Sequence, residues 1–128
     1  LTHHGIALAS GPGPGKGLPQ LEPAAVLLRQ AIAVKPIFEA YVNLAGVCNQ
    51  MAQASQDTAL KRSLYLEAEA SASQAVKMAP QNPQAWNNLA IALYFQDKRT
   101  EAVQTLRRAF DLAPGDPQIT ANLKALGG

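Results

Sequence analysis

The sequence contains one cysteine, Cys48, so no disulfide can form within it, and a reducing compartment, the cytoplasm, is the expected setting. No stretch reads as a signal peptide or as an 18-residue apolar span, so no membrane helix is expected. Aromatic residues make up only 5% of the chain, which argues against a sheet packed with bulky side chains. Charge is sparse as well, at 16% of residues, and neither sign dominates: 11 basic and 9 acidic side chains leave +2. The basic pairs Lys61-Arg62, Lys98-Arg99 and Arg107-Arg108 are scattered and read as solvated helix faces, so no nucleic-acid partner is expected. The two histidines, His3 and His4, are adjacent. On a helix they would point about 100° apart and could not share a metal ion.

What the chain does have is alanine, within a 48% hydrophobic composition, and a recurrence in its placement. Segments running from an Ala to a Pro five residues later occur at Ala31–Pro36, Ala75–Pro80 and Ala109–Pro114, separated by 44 and then 34 residues. Ala24, Ala68 and Ala102 step by the same 44 and 34. Small residues at helical spacing suit close helix packing, and a fixed period marks a repeat array. Such arrays build extended binding surfaces more readily than catalytic pockets.

The clearest unit runs from Pro83 to Asp116, 34 residues, with Trp86, Leu89, Ala90, Ala102, Ala109 and Pro114 at offsets 4, 7, 8, 20, 27 and 32. This resembles the tetratricopeptide repeat, with Leu93 and Leu106 standing where that family prefers aromatic residues. The resemblance implies an all-α fold, a right-handed superhelix of three helical hairpins plus a C-terminal capping helix. In physical terms, small residues let paired helices approach closely, and a proline just past the second helix stops it.

Upstream, Phe38, Tyr41, Leu44, Ala45, Ala68, Ala75 and Pro80 fit the pattern, but Cys48 and Ala68 are 20 apart where the offsets need 9, an excess of 11. Eleven residues make about three helical turns, which predicts that both helices of this hairpin are lengthened. Met51 and Ala52 extend the first apolar face, and Leu60, Leu64 and Ala68 extend the second backward. Ser55 or Asp57 is the expected N-cap, and a loop in place of the longer helices is the alternative.

The first unit is degraded. Its second helix is expected from Glu22 to Lys35, with Pro23 in the first turn and Ala24, Leu28 and Ala31 in register. Leu1, His4, Gly5 and Leu8 fall at first-helix offsets, and the Gly/Pro stretch within 11–19 reads as a flexible loop. Beyond the third unit, Pro117–Leu123 repeats Pro83–Leu89, and Lys124 replaces the small residue at offset 8, as suits a cap. The expected organisation is repeat one at 1–37, repeat two at 38–82, repeat three at 83–116 and a capping helix at 117–126. A chain that begins on Leu1 is expected to be a piece of a longer one.

Nothing in the sequence forms a catalytic constellation. Gly15-Lys16 lacks the upstream glycine and the following Ser or Thr of a phosphate-binding loop, and Cys48 has no histidine partner. Neither enzyme activity nor a cofactor is expected.

The resemblance instead implies a groove lined by the first helices at offsets 2, 5, 6, 9, 12 and 13. The site residues it points to are Asn43, Gln50, Gln84, Asn87, Asn88, Ile91, Tyr94 and Asn122, with Asn49 and Phe95 among their neighbours. Asn43, Asn88 and Asn122 share offset 6. Their amides could pair with the backbone of an extended peptide or bond across to the adjacent repeat, and both readings stay open. A subclass of the family clamps a chaperone's terminal carboxylate with Lys, Asn, Asn, Lys and Arg. Here those positions hold Thr2, Ile6, Asn43, Gln84 and Asn88, so only the Asn43 element matches. The expected function is capture of a protein or peptide partner. The alternatives are a substrate-recognition segment of a larger enzyme, such as a glycosyltransferase or sulfotransferase, and a self-assembling scaffold that forms homo-oligomers.

Overall fold

The computed structural model describes Leu8 and residues 18–127, and all six elements there are α-helices, with no strand among the described residues. They are α1 (Leu18–Val34), α2 (Phe38–Ala54), α3 (Thr58–Met78), α4 (Pro83–Tyr94), α5 (Arg99–Leu112) and α6 (Pro117–Ala125). Leu1, His3, His4, Gly5 and the Gly/Pro stretch at 11–17 lie outside the described residues.

The starts and stops follow from side chains adjacent in sequence. Of the two candidate caps for α3, Asp57 takes the role, accepting from the Leu60 N–H at 3.1 Å. Asn82 caps α4 on the Ala85 N–H at 2.9 Å, and Asp116 caps α6 on the N–H groups of Gln118 and Ile119 at 2.8 and 3.1 Å. In α4 and α6 a proline follows the cap, where a missing N–H costs nothing. Asp97, in the left-handed region at φ 65°, closes the tight turn between α4 and α5.

The excess residues of the second unit are helical. Helices α2 and α3 have 17 and 21 residues, against 12 and 14 in α4 and α5, so this hairpin extends beyond its neighbour. Helix α2 packs on α3 and α4 on α5, while α3 meets α4, and α2 meets both α1 and α4. The alanines at offsets 8, 20 and 27 are fully buried in both units: Ala45, Ala68 and Ala75, then Ala90, Ala102 and Ala109. Such small side chains let helix axes approach toward the short end of the usual range of about 8–10 Å.

The first unit departs from its expected register. Helix α1 begins at Leu18, inside the expected loop, so Pro23 sits within the helix and not in its first turn. Its buried edge is Leu21 and Ala25, with Leu28 and Ile32 half-buried, whereas Ala24 is half-buried and Ala31 exposed. The periodicity alone allowed either edge, and packing against α2 selects the bulkier one. Leu8 is likewise not helical. Both its backbone groups are hydrogen-bonded to a side chain of α2 and not to a helical neighbour.

Cys48 is fully buried, and burial pushes its thiol up to about 12, with the nearby Glu67 charge adding to the rise. The folded chain therefore keeps this proton at a pH where the unfolded chain, near 8.5, loses it. The stability this contributes is intact below about pH 8.5 and declines as pH climbs toward 12. At pH 8 a disulfide reagent should label Cys48 at least about 100-fold faster in guanidinium than in buffer. Equal rates would mean the thiol is open to solvent.

Candidate functional site

The first-type helices α2, α4 and α6 are joined by side-chain amides. Asn88 Nδ2 donates to the Val42 carbonyl on α2 at 3.0 Å, and Asn49 Nδ2 donates back to the Asn88 carbonyl at 3.0 Å. One repeat further on, Asn122 Nδ2 donates to Asn87 Oδ1 at 3.0 Å, and Gln84 Nε2 reaches the α6 cap, Asp116 Oδ2, at 3.1 Å. Asn88 and Asn122, both at offset 6, reach back to the preceding first helix, while Asn49 and Gln84, at other offsets, reach forward to the next. Asn87, Asn88 and Asn122 are accordingly buried, at 0%, 1% and 3% exposure.

Three of these amides have an acceptor left over. Asn49 Oδ1, Asn88 Oδ1 and Gln84 Oε1 are buried and take no hydrogen bond. A buried acceptor without a donor costs about 1–3 kcal/mol.

Beside the amides lies an apolar floor. Ile91 and Tyr94 are buried at 0% and 4% within a cluster that also holds Leu8, Leu93, Ile119 and Leu126. The Tyr94 ring meets Phe95 edge-on at 5.2 Å, and Phe95 in turn stacks on Tyr65 at 5.0 Å. The Tyr65 hydroxyl is buried without a partner, and burial raises its pKa. Asn43 is exposed, and Gln50 and Gln84 are half-buried.

Gln53 was not legible from the repeat offsets. It lies in the lengthened end of α2, one turn beyond Asn49, and its amide takes both backbone groups of Leu8: Leu8 N–H to Oε1 at 3.0 Å and Nε2 to the Leu8 carbonyl at 2.9 Å. Its i, i+4 relation to Asn49 was the available signal.

Charge is placed elsewhere. Arg29 on α1 grips Glu67 on α3 in a two-pronged pair at 2.7 and 2.8 Å, which holds the Glu67 carboxyl below the usual carboxylate range. Lys98 approaches Glu69 at 3.7 Å. Among the described residues no group of acidic, His or Cys side chains is placed to hold a metal ion, and no helix is long and apolar enough to cross a membrane.

A family model for the tetratricopeptide repeat matches residues 57–117, from the α3 cap to the first residue of α6. Residues 57–117 belong to the tetratricopeptide repeat family. Among solved structures it is similar to the second tetratricopeptide repeat domain of human RPAP3, determined by NMR in complex with the HSP70 peptide SGPTIEEVD. That likeness has a TM-score of 0.50 at 22% identity and covers 84% of this chain and 92% of the other, and it bears on the fold. No curated protein matches the chain. In repeat terms, Asn88 and Asn122 each bond back to the preceding first helix. Asn43 stands at the same offset on α2, before which the described residues hold no first helix.

Proposed function

We propose that this tetratricopeptide repeat array is a non-catalytic protein-interaction module whose first-helix face takes an extended peptide segment of a partner. The observation that carries the reading is the pair of unpartnered buried amide oxygens, Asn49 Oδ1 and Asn88 Oδ1, on the α2–α4 seam beside the apolar floor of Ile91 and Tyr94. Oriented acceptors next to an apolar floor suit a ligand that brings backbone N–H groups and an aliphatic side chain. Asn43, Gln50 and Gln84 extend the same face outward as amides that a longer ligand would meet.

RPAP3's domain is in complex with an HSP70 peptide, SGPTIEEVD, whose last four residues are Glu-Glu-Val-Asp. A comparable ligand is not proposed here. Gln84 and Asn88 stand where the carboxylate clamp has cations, and Thr2 and Ile6, the remaining mismatched positions, lie outside the described residues. An acidic tail would lose hydration on this face without gaining an ion pair.

The test is selection of 12-residue peptides from a display library on the full chain, followed by affinity measurement on variants. Replacing both Asn43 and Gln50 by Ala should weaken the selected peptides about 5- to 150-fold, since each amide bond nets ~0.5–1.5 kcal/mol. Arg62→Ala, at an exposed position of α3, should leave affinity within about twofold. Peptides weakened by Arg62→Ala and untouched by the double substitution would move the site to the second helices.

A further inference from the structure

We propose that Leu8 is a built-in ligand of this face: it occupies the peptide site, and a partner must displace it. The inference rests on the peptide-binding reading above and adds the regulation of that site.

Gln53 supplies the geometry. One side-chain amide satisfies both the N–H and the C=O of Leu8, at 3.0 and 2.9 Å, across 45 residues of sequence. This is the exchange that a residue in an antiparallel strand makes with the residue opposite, here with a glutamine in place of the second strand. It reads backbone and ignores side-chain identity. The side chain is read separately. Leu8 is 4% exposed within the cluster of Ile91, Leu93, Tyr94 and Leu126, so an aliphatic group is anchored where the repeat pattern expects an open trough.

The lengthening of α2 has a role in this arrangement. A first helix as short as the 12 residues of α4 would end near position 49, and Gln53 exists as a helical residue because α2 runs 17 residues to Ala54. One turn back on the same face is Asn49, whose Oδ1 is buried and unpaired. Four helical residues rise about 6.0 Å, and two residues of extended chain span about 6.6–6.8 Å. A displacing peptide clasped by Gln53 in an extended conformation would therefore bring its next same-side N–H toward Asn49. A displacing peptide with better backbone reach than Leu8 would gain that bond.

Because the competitor is tethered, its effective concentration is about millimolar, and a peptide of similar intrinsic affinity binds the intact chain correspondingly weakly. The probe is a fluorescein-labelled synthetic peptide with the sequence of residues 4–12. Its anisotropy is followed with the full chain, with Leu8→Asp and with Leu8→Asp combined with Gln53→Ala. Leu8→Asp should bind the probe at least about tenfold more tightly than the unaltered chain, and adding Gln53→Ala should remove most of that gain.

A measurement that needs no ligand accompanies it. In the unaltered chain the Leu8 amide should exchange with solvent at least about tenfold more slowly than in Gln53→Ala, since Gln53 holds it. A Leu8 amide exchanging at the unfolded-chain rate would overturn the proposal. So would a protected amide with no gain of probe binding in Leu8→Asp, which would make Leu8 a fixed structural tie. Library peptides that bind the unaltered chain and are indifferent to Leu8→Asp would also overturn it while leaving the peptide-binding reading standing.

Discussion

Asn88→Asp should destabilise the chain by about 3 kcal/mol or more at pH 7, whereas Asn43→Asp, at the same offset one repeat earlier, should change stability by less than about 0.5 kcal/mol. Asn88 is 1% exposed and its Nδ2 donates to the Val42 carbonyl at 3.0 Å. A carboxylate there has no proton to donate. It would face that carbonyl with a negative charge in a place water does not reach, and the group would resist ionising. Its folded pKa would then lie above the unfolded value of about 3.9. Stability is therefore retained below that value, where a protonated Asp can donate to Val42, and is lost as pH rises toward the folded pKa. Urea unfolding at pH 7 and pH 4 reads the effect directly. The gap from the unaltered chain should shrink at the lower pH. Equal behaviour of Asn43→Asp and Asn88→Asp at pH 7 would mean that the Asn88 amide does not tie α4 to α2.

That contrast shows where sequence reading ran out. Offset 6 placed Asn43, Asn88 and Asn122 on one face, and the repeat pattern alone could not say whether each amide points at a ligand or at the preceding helix. The deciding quantity is the separation of α2 from α4, which no local spacing encodes. The hairpin extension was legible, because Met51, Ala52, Leu60 and Leu64 continue apolar faces through the inserted residues. The role of Gln53 was not, since it occupies a position for which the 34-residue pattern has no counterpart. Helix α1 shows a different limit. Its alanines at 24 and 31 copy the spacing of Ala68 and Ala75, yet α2 packs on Leu21 and Ala25. The register of small residues describes a helix with its own hairpin partner, and α1 instead takes its burial from the hairpin that follows.

Ala90→Leu should cost about 1–3 kcal/mol, lowering the urea midpoint with little change in slope. Ala90 is fully buried on α4, which packs along α5, where Ala102 and Ala109 are also fully buried. All three belong to one buried core cluster, which leaves no volume for a larger side chain at Ala90, so a leucine must push the helices apart or leave its preferred rotamer. The counterpart in α6 is a control supplied by the chain itself. Lys124 occupies offset 8 there and is exposed. It is the last first-type helix described, with no second helix packed after it. Lys124→Leu should therefore change stability by less than about 0.5 kcal/mol. The pair separates packing from helix propensity, since both substitutions place the same leucine at the same repeat position on a first helix. If Ala90→Leu melts with the unaltered chain, the close approach of α4 and α5 is not what the buried alanines maintain, and the repeat register must be redrawn.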